Sequence, residues 1–166
     1  RTSPKTAQFN ELNFALNEVT IARKNTTSMI GVRTSLNSEY LTNYWADGLI
    51  IATPTGSTGY SLSCNGPVIS PDSKNLIITP IAPHNLNARP MVISDDTNIQ
   101  LTIDSREKDF LISLDSRITS VSKNTEIFIK KASFTIKSII PNNQSFLQTL
   151  RSKLLWGEDT RNETNL

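Results

Sequence analysis

The sequence has very little cysteine and histidine, with one residue of each, Cys64 and His84. A lone cysteine excludes an internal disulfide, and because no apolar signal-like run opens the chain we expect a cytoplasmic location. Cys64 has no base partner near it in sequence, so we interpret it as a packing residue and not a nucleophile. His84 has no Cys, His or carboxylate at ligand spacing, and we therefore predict no metal site.

Long hydrophobic runs and clusters of one charge are also missing. No stretch approaches the roughly 18 unbroken apolar residues that a membrane-spanning helix needs, so we predict a soluble protein with no membrane partner. There are 17 Lys and Arg against 15 Asp and Glu, for a net charge of +2, and the basic residues are scattered, which argues against nucleic-acid binding. With 37% hydrophobic residues among 166, the chain suits one domain with its own core.

Helical periodicity is scarce. It is persuasive only near the end of the chain, where Ser145 suits an N-cap and five apolar residues fall on one face: Phe146, Leu147, Leu150, Leu154 and Leu155. A second, short helix is predicted near residues 57–62. Elsewhere, short apolar or alternating runs between turn signals predict strands at residues 12–22, 29–34, 39–45, 49–52, 76–79, 91–93, 98–103, 110–114, 127–130 and 134–139.

Two local features refine the strand prediction. The alternation shifts phase at Asn17 and Glu18, which indicates a bulge inside the first strand. Residues 35–38 are turn-prone, so the two strands that flank them are predicted to form a hairpin.

Many short strands with turns between them favour two packed antiparallel sheets over a parallel α/β sheet. We predict an all-β fold, an antiparallel β-sandwich, with a short helix after the loop at residues 53–60 and a C-terminal helix. The sandwich is expected over residues 12–144, and the C-terminal helix and a polar tail over residues 145–166. Residues 1–11 are polar and begin without Met, and we expect them to be a connector from a preceding domain.

The segment at residues 53–63, TPTGSTGYSLS, follows a buried strand and is rich in hydroxyls and glycines. Glycines let a backbone come close to a ligand, and hydroxyls together with the free N–H groups of a starting helix can bind ribose hydroxyls or phosphate oxygens. The ring of Tyr60 could stack on a base. Composition alone leaves a plain surface turn open as the alternative.

This segment resembles the signature of NAD kinases, whose usual form is TPTGSTAYSLSAGGP. Gly59 replaces the common Ala, and CNGP at residues 64–67 replaces Ala-Gly-Gly-Pro. Five further segments resemble family segments in the same order: LNEV at residues 16–19, ADGL at 46–49, PIAPHNLNARP at 80–90, LDSR at 114–117 and LRSKLLWG at 150–157. Six ordered matches cover nearly the whole chain and identify it as similar to the C-terminal, nucleotide-binding domain of this family.

The resemblance implies a function. NAD kinases transfer a phosphoryl group from ATP, or from polyphosphate as well as ATP, to the adenosine ribose 2'-hydroxyl of NAD and so make NADP. It also implies Mg²⁺ or another divalent cation with ATP in the full-length enzyme, and a homo-oligomer, a dimer or a tetramer. The alternatives are a non-catalytic nucleotide- or carbohydrate-binding β-sandwich and a related lipid kinase domain.

The resemblance also implies the site residues. Asn17 and Glu18 would line the pocket for the adenosine half of NAD, and Asp47 would help to hold the dinucleotide. The remaining substrate-binding residues are Thr58, Gly59, Tyr60, Ser61, Leu62 and Ser63, with Thr55, Ser57, His84 and Arg117 as possible contacts.

Several of these residues also have a purely structural interpretation. An Asn-Glu pair inside a strand suits a solvated bulge, and an Asp suits the cap of a turn before a strand. His84 suits either a contact near the reacting phosphates or a role in its Pro-rich turn, and Arg89 suits either phosphate binding or bracing of that turn. Arg117 stands where many relatives have Gln.

One family motif is missing from the sequence, namely Gly-Gly-Asp-Gly. In the family its Asp takes the proton of the ribose 2'-hydroxyl, and the motif belongs to an N-terminal α/β domain. We therefore expect no catalytic residue in this chain, the base Asp in that preceding domain, and no activity of the chain alone.

Overall fold

A computed structural model of the protein describes residues 12–25, 27–139 and 145–156. These residues form ten strands: β1 (Glu18–Arg23), β2 (Ile30–Leu36), β3 (Glu39–Ala46), β4 (Gly48–Ala52), β5 (Asn75–Ile81), β6 (Met91–Ser94), β7 (Ile99–Asp104), β8 (Asp109–Leu114), β9 (Arg117–Ser122) and β10 (Ile127–Ile129). A 3-10 helix (Thr55–Thr58) and two α-helices, α1 (Tyr60–Ser63) and α2 (Phe146–Leu154), complete the described elements. The chain divides into one unit over residues 1–133 and a second over residues 134–166.

All ten strands lie in two antiparallel sheets. One sheet has six strands in the order β6-β5-β4-β1-β8-β9, and the other has four in the order β10-β7-β2-β3. Side chains of both sheets meet in one core, which includes Ile21 of β1, Val32 of β2 and Leu101 of β7, all fully buried. The predicted antiparallel β fold is confirmed.

Strand β4 is buried on both of its faces. Leu49 and Ile51 point into the main core, whereas Ile50 and Ala52 form a second cluster with Ile77 of β5, against which Cys64 and Ile69 pack. A strand covered on both faces reads as a continuous apolar run, which is why LIIA carries no alternation. The segment that follows β4 is therefore anchored over this second cluster, and the packing predicted for Cys64 agrees with its place there.

The predicted hairpin is present. Strands β2 and β3 pair over their whole lengths, and the two residues between them, Asn37 and Ser38, have positive φ angles of 50° and 71°. Such turns match the right-handed twist of the strands that they join. The register of the β2–β3 pair shifts between Thr34 and Ser35, so the pairing of the hairpin is irregular at that point.

The bulge predicted at Asn17 and Glu18 is wrong, because β1 begins only at Glu18. The N–H group of Asn17 binds the carboxylate of Asp115, and its carbonyl accepts from the N–H group of Thr53. Both backbone groups of Asn17 are thus committed outside a regular ladder, which ends the strand at that point.

Three other elements differ from the prediction. Residues 134–139 alternate like a strand but form none, and their side chains are exposed, because alternation forms a strand only where a partner strand pairs with it. Strand β9, which pairs with β8, was not predicted at all. The short helix is divided into the 3-10 turn and α1 by Gly59, whose φ and ψ of −96° and −132° are not helical.

Helix α2 begins as predicted. The Ser145 hydroxyl oxygen accepts a hydrogen bond from the N–H group of Gln148 at 3.1 Å, which satisfies one of the free donors of the first turn. Phe146, Leu150 and Leu154 are partly buried, while Leu147 and Leu155 of the predicted face are exposed. No helix in the described part of the chain is long and apolar enough to cross a membrane. The connector predicted at residues 1–11 and the tail from residue 158 lie outside the described residues.

Candidate functional site

The pairing of β1 with β4 brings two of the sequence segments together. The strands run antiparallel with Glu18 opposite Ala52, so the start of β1 lies beside the end of β4. The Thr53 N–H group donates to the Asn17 carbonyl at 2.8 Å, and the Thr53 hydroxyl donates to the Leu16 carbonyl at 2.7 Å. The Asn-Glu pair and the hydroxyl-rich loop are therefore neighbours, although they lie more than 30 residues apart in sequence.

Gly56 lets the loop cross this backbone at short range. A Cβ atom added at Gly56 would lie 2.1 Å from the Asn17 carbonyl oxygen and 2.6 Å from its carbonyl carbon. Both contacts are with backbone, which cannot rotate away as a side chain would. The loop thus takes its path because residue 56 has no side chain.

The carboxyl group of Glu18 faces the same loop. Its Oε2 atom is buried and has no hydrogen-bond partner among the described residues, and it lies 3.3 Å from the position that a Cβ atom of Gly59 would take. Burial, and after it the negative charge of Asp115, raise the pKa of the Glu18 carboxyl above its usual value. A buried carboxyl oxygen without a donor suits a ligand hydroxyl that would supply one.

Glu18→Gln is expected to stabilise the folded protein at neutral pH. A carboxyl whose pKa is raised on folding stabilises the fold below its unfolded pKa, and this stabilisation is lost as the pH rises through the folded pKa. The glutamine cannot ionise, so the variant should unfold at a higher temperature than the unaltered protein at pH 7–8, with a difference that shrinks toward pH 4. Glu39→Gln, at the exposed first position of β3, controls for the loss of one negative charge. An equal rise of the unfolding temperature in both variants would contradict the raised pKa of Glu18 as the cause.

Tyr60 and Asp47 form the next part of the site. Tyr60 opens α1 with 45% of its surface exposed, and burial, followed by nearby Cys64 and Asp47, raises the pKa of its hydroxyl. Asp47 lies between β3 and β4, where its N–H group donates to the Ile81 carbonyl and its carboxylate accepts from the Arg23 guanidinium, both at 2.9 Å. An accessible ring therefore lies close to a carboxylate of fixed position.

Ser57 and Ser61 are fully buried and hold the loop from within. The Ser57 hydroxyl donates to the Pro54 carbonyl at 2.6 Å and accepts from the Ile69 N–H group at 3.1 Å. The hydroxyls of Ser61 and Thr79 share a hydrogen bond of 2.8 Å. These two serines face protein atoms, whereas solvent reaches Thr55, Thr58, Gly59, Tyr60 and Ser63, and partly Leu62.

The remaining candidates lie on other segments. The Arg117 guanidinium donates to the Leu12 carbonyl at 2.7 Å and also to the Phe14 carbonyl, so it holds the backbone that leads to Asn17. His84 is exposed, and its backbone N–H group donates to the Trp45 carbonyl at 2.8 Å. Arg89 donates to the carbonyls of Leu86 and Ala88, which is the bracing role that its sequence context left open.

Asp115 contacts the Asn-Glu segment directly, and sequence reasoning did not single it out. Its carboxylate accepts hydrogen bonds from three successive backbone N–H groups, those of Leu16, Asn17 and Glu18. Its place in the LDSR segment was the one available signal, because nothing local reveals a contact across 98 residues. In the described residues, no three or more His, Cys, Asp and Glu side chains are grouped so that they could hold a metal ion.

Fold and loop together define the class of protein: an antiparallel β domain that carries a polar, glycine-containing loop at the end of a central strand, beside a partly buried carboxyl. Residues 16–141 match the model of the ATP-NAD kinase C-terminal domain, and the chain belongs to that family. The resemblance to NAD kinases predicted from the sequence is confirmed.

Curated relatives carry the same family name. The chain is 63% identical to an NAD kinase of Flavobacterium johnsoniae over 159 residues, which are 96% of this chain and 54% of the relative. It is 60% identical to an NAD kinase of Christiangramia forsetii over 162 residues, which are 98% of this chain and 55% of the relative. The chain thus spans about half the length of the curated relatives that it matches.

Two solved structures share the fold. An NAD kinase from Archaeoglobus fulgidus in complex with ATP aligns with a TM-score of 0.65 at 32% identity, covering 72% of this chain and 46% of that one. Yeast NADH kinase complexed with NADH aligns with a TM-score of 0.69 at 26% identity, covering 90% of this chain and 44% of that one.

Proposed function

We propose that this chain is the dinucleotide-binding part of an enzyme that phosphorylates the adenosine ribose 2'-hydroxyl of NAD with ATP and so produces NADP. The observation that carries the proposal is the meeting of three segments at one place: Asn17 and Glu18 at the start of β1, the loop at residues 55–63 with its exposed side chains, and Asp47, whose charge acts on Tyr60 of that loop. The family of the chain, and the ATP and NADH in the two related structures, support the choice of ligands.

Each group has a defined task in this proposal. The buried Oε2 atom of Glu18 accepts a hydrogen bond from a ribose hydroxyl, and the side-chain amide of Asn17 forms hydrogen bonds with an edge of the adenine base. The exposed ring of Tyr60 stacks on a flat part of the ligand, and the Thr58 and Ser63 hydroxyls bind polar groups. Asp47, which already has Arg23 as a partner, accepts from a hydroxyl or amide of the dinucleotide.

The proposed contribution of this chain to catalysis is positioning. Phosphoryl transfer depends on in-line placement of the nucleophile and on neutralisation of phosphate charge. The base that takes the 2'-hydroxyl proton is assigned to an N-terminal α/β domain. Mg²⁺, or another divalent cation, is proposed to accompany ATP, and the described residues contain no group of three or more His, Cys, Asp and Glu side chains that could hold it.

Tyr60→Ala is expected to weaken NAD binding by roughly 1–3 kcal/mol, the range for loss of one aromatic stacking contact with a base. Isothermal titration of the unaltered protein and the variant with NAD measures the difference. Tyr60→Phe keeps the ring and loses only the hydroxyl, so it should retain most of the affinity. Tyr40→Ala removes a tyrosine of similar exposure, 52% against 45%, from β3 and serves as the matched control.

The same titrations test the function as a whole. Binding of NAD or NADP, with no binding of sugars or lipids, supports the proposal. A folded full-length protein that binds neither dinucleotide would overturn it. Unchanged affinity in Tyr60→Ala, with binding intact in the unaltered protein, would remove only Tyr60 from the site.

The assembly and location of the protein are also part of the proposal. We infer a cytoplasmic homo-oligomer, a dimer or a tetramer. Among the described residues, β6 and β9 end one sheet and β10 and β3 end the other, and strand edges of this kind offer surfaces for pairing between copies. Light scattering of the full-length protein tests this, and a monomer at micromolar concentration would contradict it.

A further inference from the structure

The turn between β8 and β9 contains an unusual acceptor. Asp115 has a positive φ of 52°, and its carboxylate accepts three hydrogen bonds from consecutive amides: Leu16 to Oδ2 at 2.9 Å, and Asn17 and Glu18 to Oδ1 at 2.7 Å and 3.2 Å. In return, the Asp115 N–H group donates to the Glu18 carbonyl at 3.0 Å. Four hydrogen bonds thus join this turn to the start of β1.

The charge of the acceptor matters for these contacts. Consecutive amides that point the same way form a small concave site for an anion, and hydrogen bonds to an ionised acceptor are stronger than neutral ones. The amides of Leu16 and Asn17 lie before the first residue of β1, so no sheet ladder orients them. Asp115 therefore replaces a strand partner at the point where the ladder stops.

The same backbone is held on its other side by the loop after β4. Thr53 donates to the carbonyls of Leu16 and Asn17, and Gly56 packs directly against the Asn17 carbonyl. The N–H donors of residues 16–18 thus go to Asp115, whereas the carbonyls of Leu16 and Asn17 accept from the loop and the Glu18 carbonyl accepts from the Asp115 N–H group. The distance between the Asn-Glu pair and the exposed loop residues depends on both sets of hydrogen bonds, those to Asp115 and those to Thr53.

Arg117 supports the same arrangement two residues further along. Its guanidinium donates to the Leu12 and Phe14 carbonyls and lies 5.8 Å from the centre of the Phe14 ring. Two residues at the β8–β9 turn thus bind the backbone before and at the start of β1. Arg117 donates to its carbonyls, and Asp115 accepts from its amides. The negative charge of Asp115 also contributes to the raised pKa of Glu18, so the two carboxyl groups lie close enough to interact.

We propose that Asp115 is a positioning residue for dinucleotide recognition: its carboxylate fixes the backbone of residues 16–18 and thereby sets Asn17 and Glu18 against the loop at residues 55–63. Asp115 acts through the backbone and not by a contact of its own with the ligand. The inference rests on the proposed function and adds to it a residue on a distant turn that sets the affinity for NAD.

Asp115→Asn in the full-length protein tests the inference. The amide keeps the shape and one acceptor oxygen, but it loses the charge and presents an NH₂ group to one of the backbone donors. The Kd for NAD is expected to rise on the order of tenfold, the factor that corresponds to about 1.4 kcal/mol. The KM for ATP should stay within about twofold, because loosening of the whole fold would affect both substrates. Asp109→Asn removes a carboxylate at the other end of β8, one that pairs with Lys24, and should leave both values unchanged.

A second readout follows the charge itself. In Asp115→Asn, the pKa of the Glu18 carboxyl, followed by nuclear magnetic resonance, should fall because a neighbouring negative charge is gone. Should Asp115→Asn fail to fold, Asp115→Glu, which keeps the charge but lengthens the side chain, takes its place and should also raise the Kd for NAD.

The outcomes separate the two proposals. No binding of NAD by the unaltered protein overturns the proposed function, and this inference with it. Tight binding by the unaltered protein and equal binding by the folded Asp115 variant overturns the inference alone. Equal losses for NAD and ATP also overturn it, because they assign Asp115 a general structural role.

Discussion

Gly56→Ala is expected to destabilise the domain by about 3 kcal/mol, at the upper end of the range for overpacking, and to weaken NAD binding at the same time. The new Cβ atom would have to occupy a point 2.1 Å from the Asn17 carbonyl oxygen, so either the loop or the start of β1 must move. Movement of either one separates the exposed loop residues from Glu18. Thermal unfolding and titration with NAD measure the two effects.

Gly59→Ala is the matched control for this change. Its Cβ atom would lie 3.3 Å from the nearest atoms, the Glu18 Oε2 atom and the Gly56 carbonyl oxygen, compared with 2.1 Å at Gly56. A small adjustment suffices there, and alanine is the common residue at this place in the family signature. Equal destabilisation by both variants would show that the close crossing at Gly56 is not what shapes the loop.

Phe110→Ala is expected to lower the free energy of unfolding by about 3–5 kcal/mol. Phe110 is fully buried in β8, where Arg23 of β1 and Val121 of β9 lie beside it in register. Truncation leaves a cavity within the strand that also carries the turn of Asp115. Urea unfolding measures the loss, which should appear as a lower midpoint with an unchanged slope.

Phe128→Ala provides the comparison for that measurement. Phe128 lies in the edge strand β10 and is 64% exposed, so its truncation should change the stability by no more than about 0.5 kcal/mol. Similar losses in both variants would contradict the placement of Phe110 in the core.

Local patterns predicted much of the fold. Strands β7 and β8 alternate strictly between buried and less buried residues, and each was predicted within one residue of its ends. The hairpin of β2 and β3 was predicted from turn chemistry, since Asn37 and Ser38 suit positive φ angles. These elements are determined by periodicity and by turn residues, both of which are local properties.

The errors have a common physical cause. Residues 134–137 alternate between apolar and polar side chains as a strand does, but a strand also requires a partner, and partners are chosen by the tertiary fold. The start of β1 was predicted too early because Asn17 gives its backbone groups to Asp115 and Thr53, which lie far away in sequence. A local pattern contains no information about such partners.

In the site, too, the sequence predicts the segment, but only the tertiary structure decides which of its side chains face solvent. The run at residues 53–63 presents its hydroxyls as equivalent in sequence, yet Ser57 and Ser61 are buried and bound to protein atoms, while Thr58 and Ser63 are exposed. Which hydroxyl faces solvent depends on what covers β4, so periodicity within a loop could not separate them.

The sequence by itself determined the family of this protein and the chemistry of its loop, because both are written in contiguous residues such as those from Thr53 to Tyr60. Only the tertiary structure decided that the Asn-Glu pair lies against that loop, with Asp115 holding it from the other side. The reason is that antiparallel pairing of β1 with β4 and β8 joins segments 30 to 100 residues apart, and such contacts arise from the packing of the whole domain.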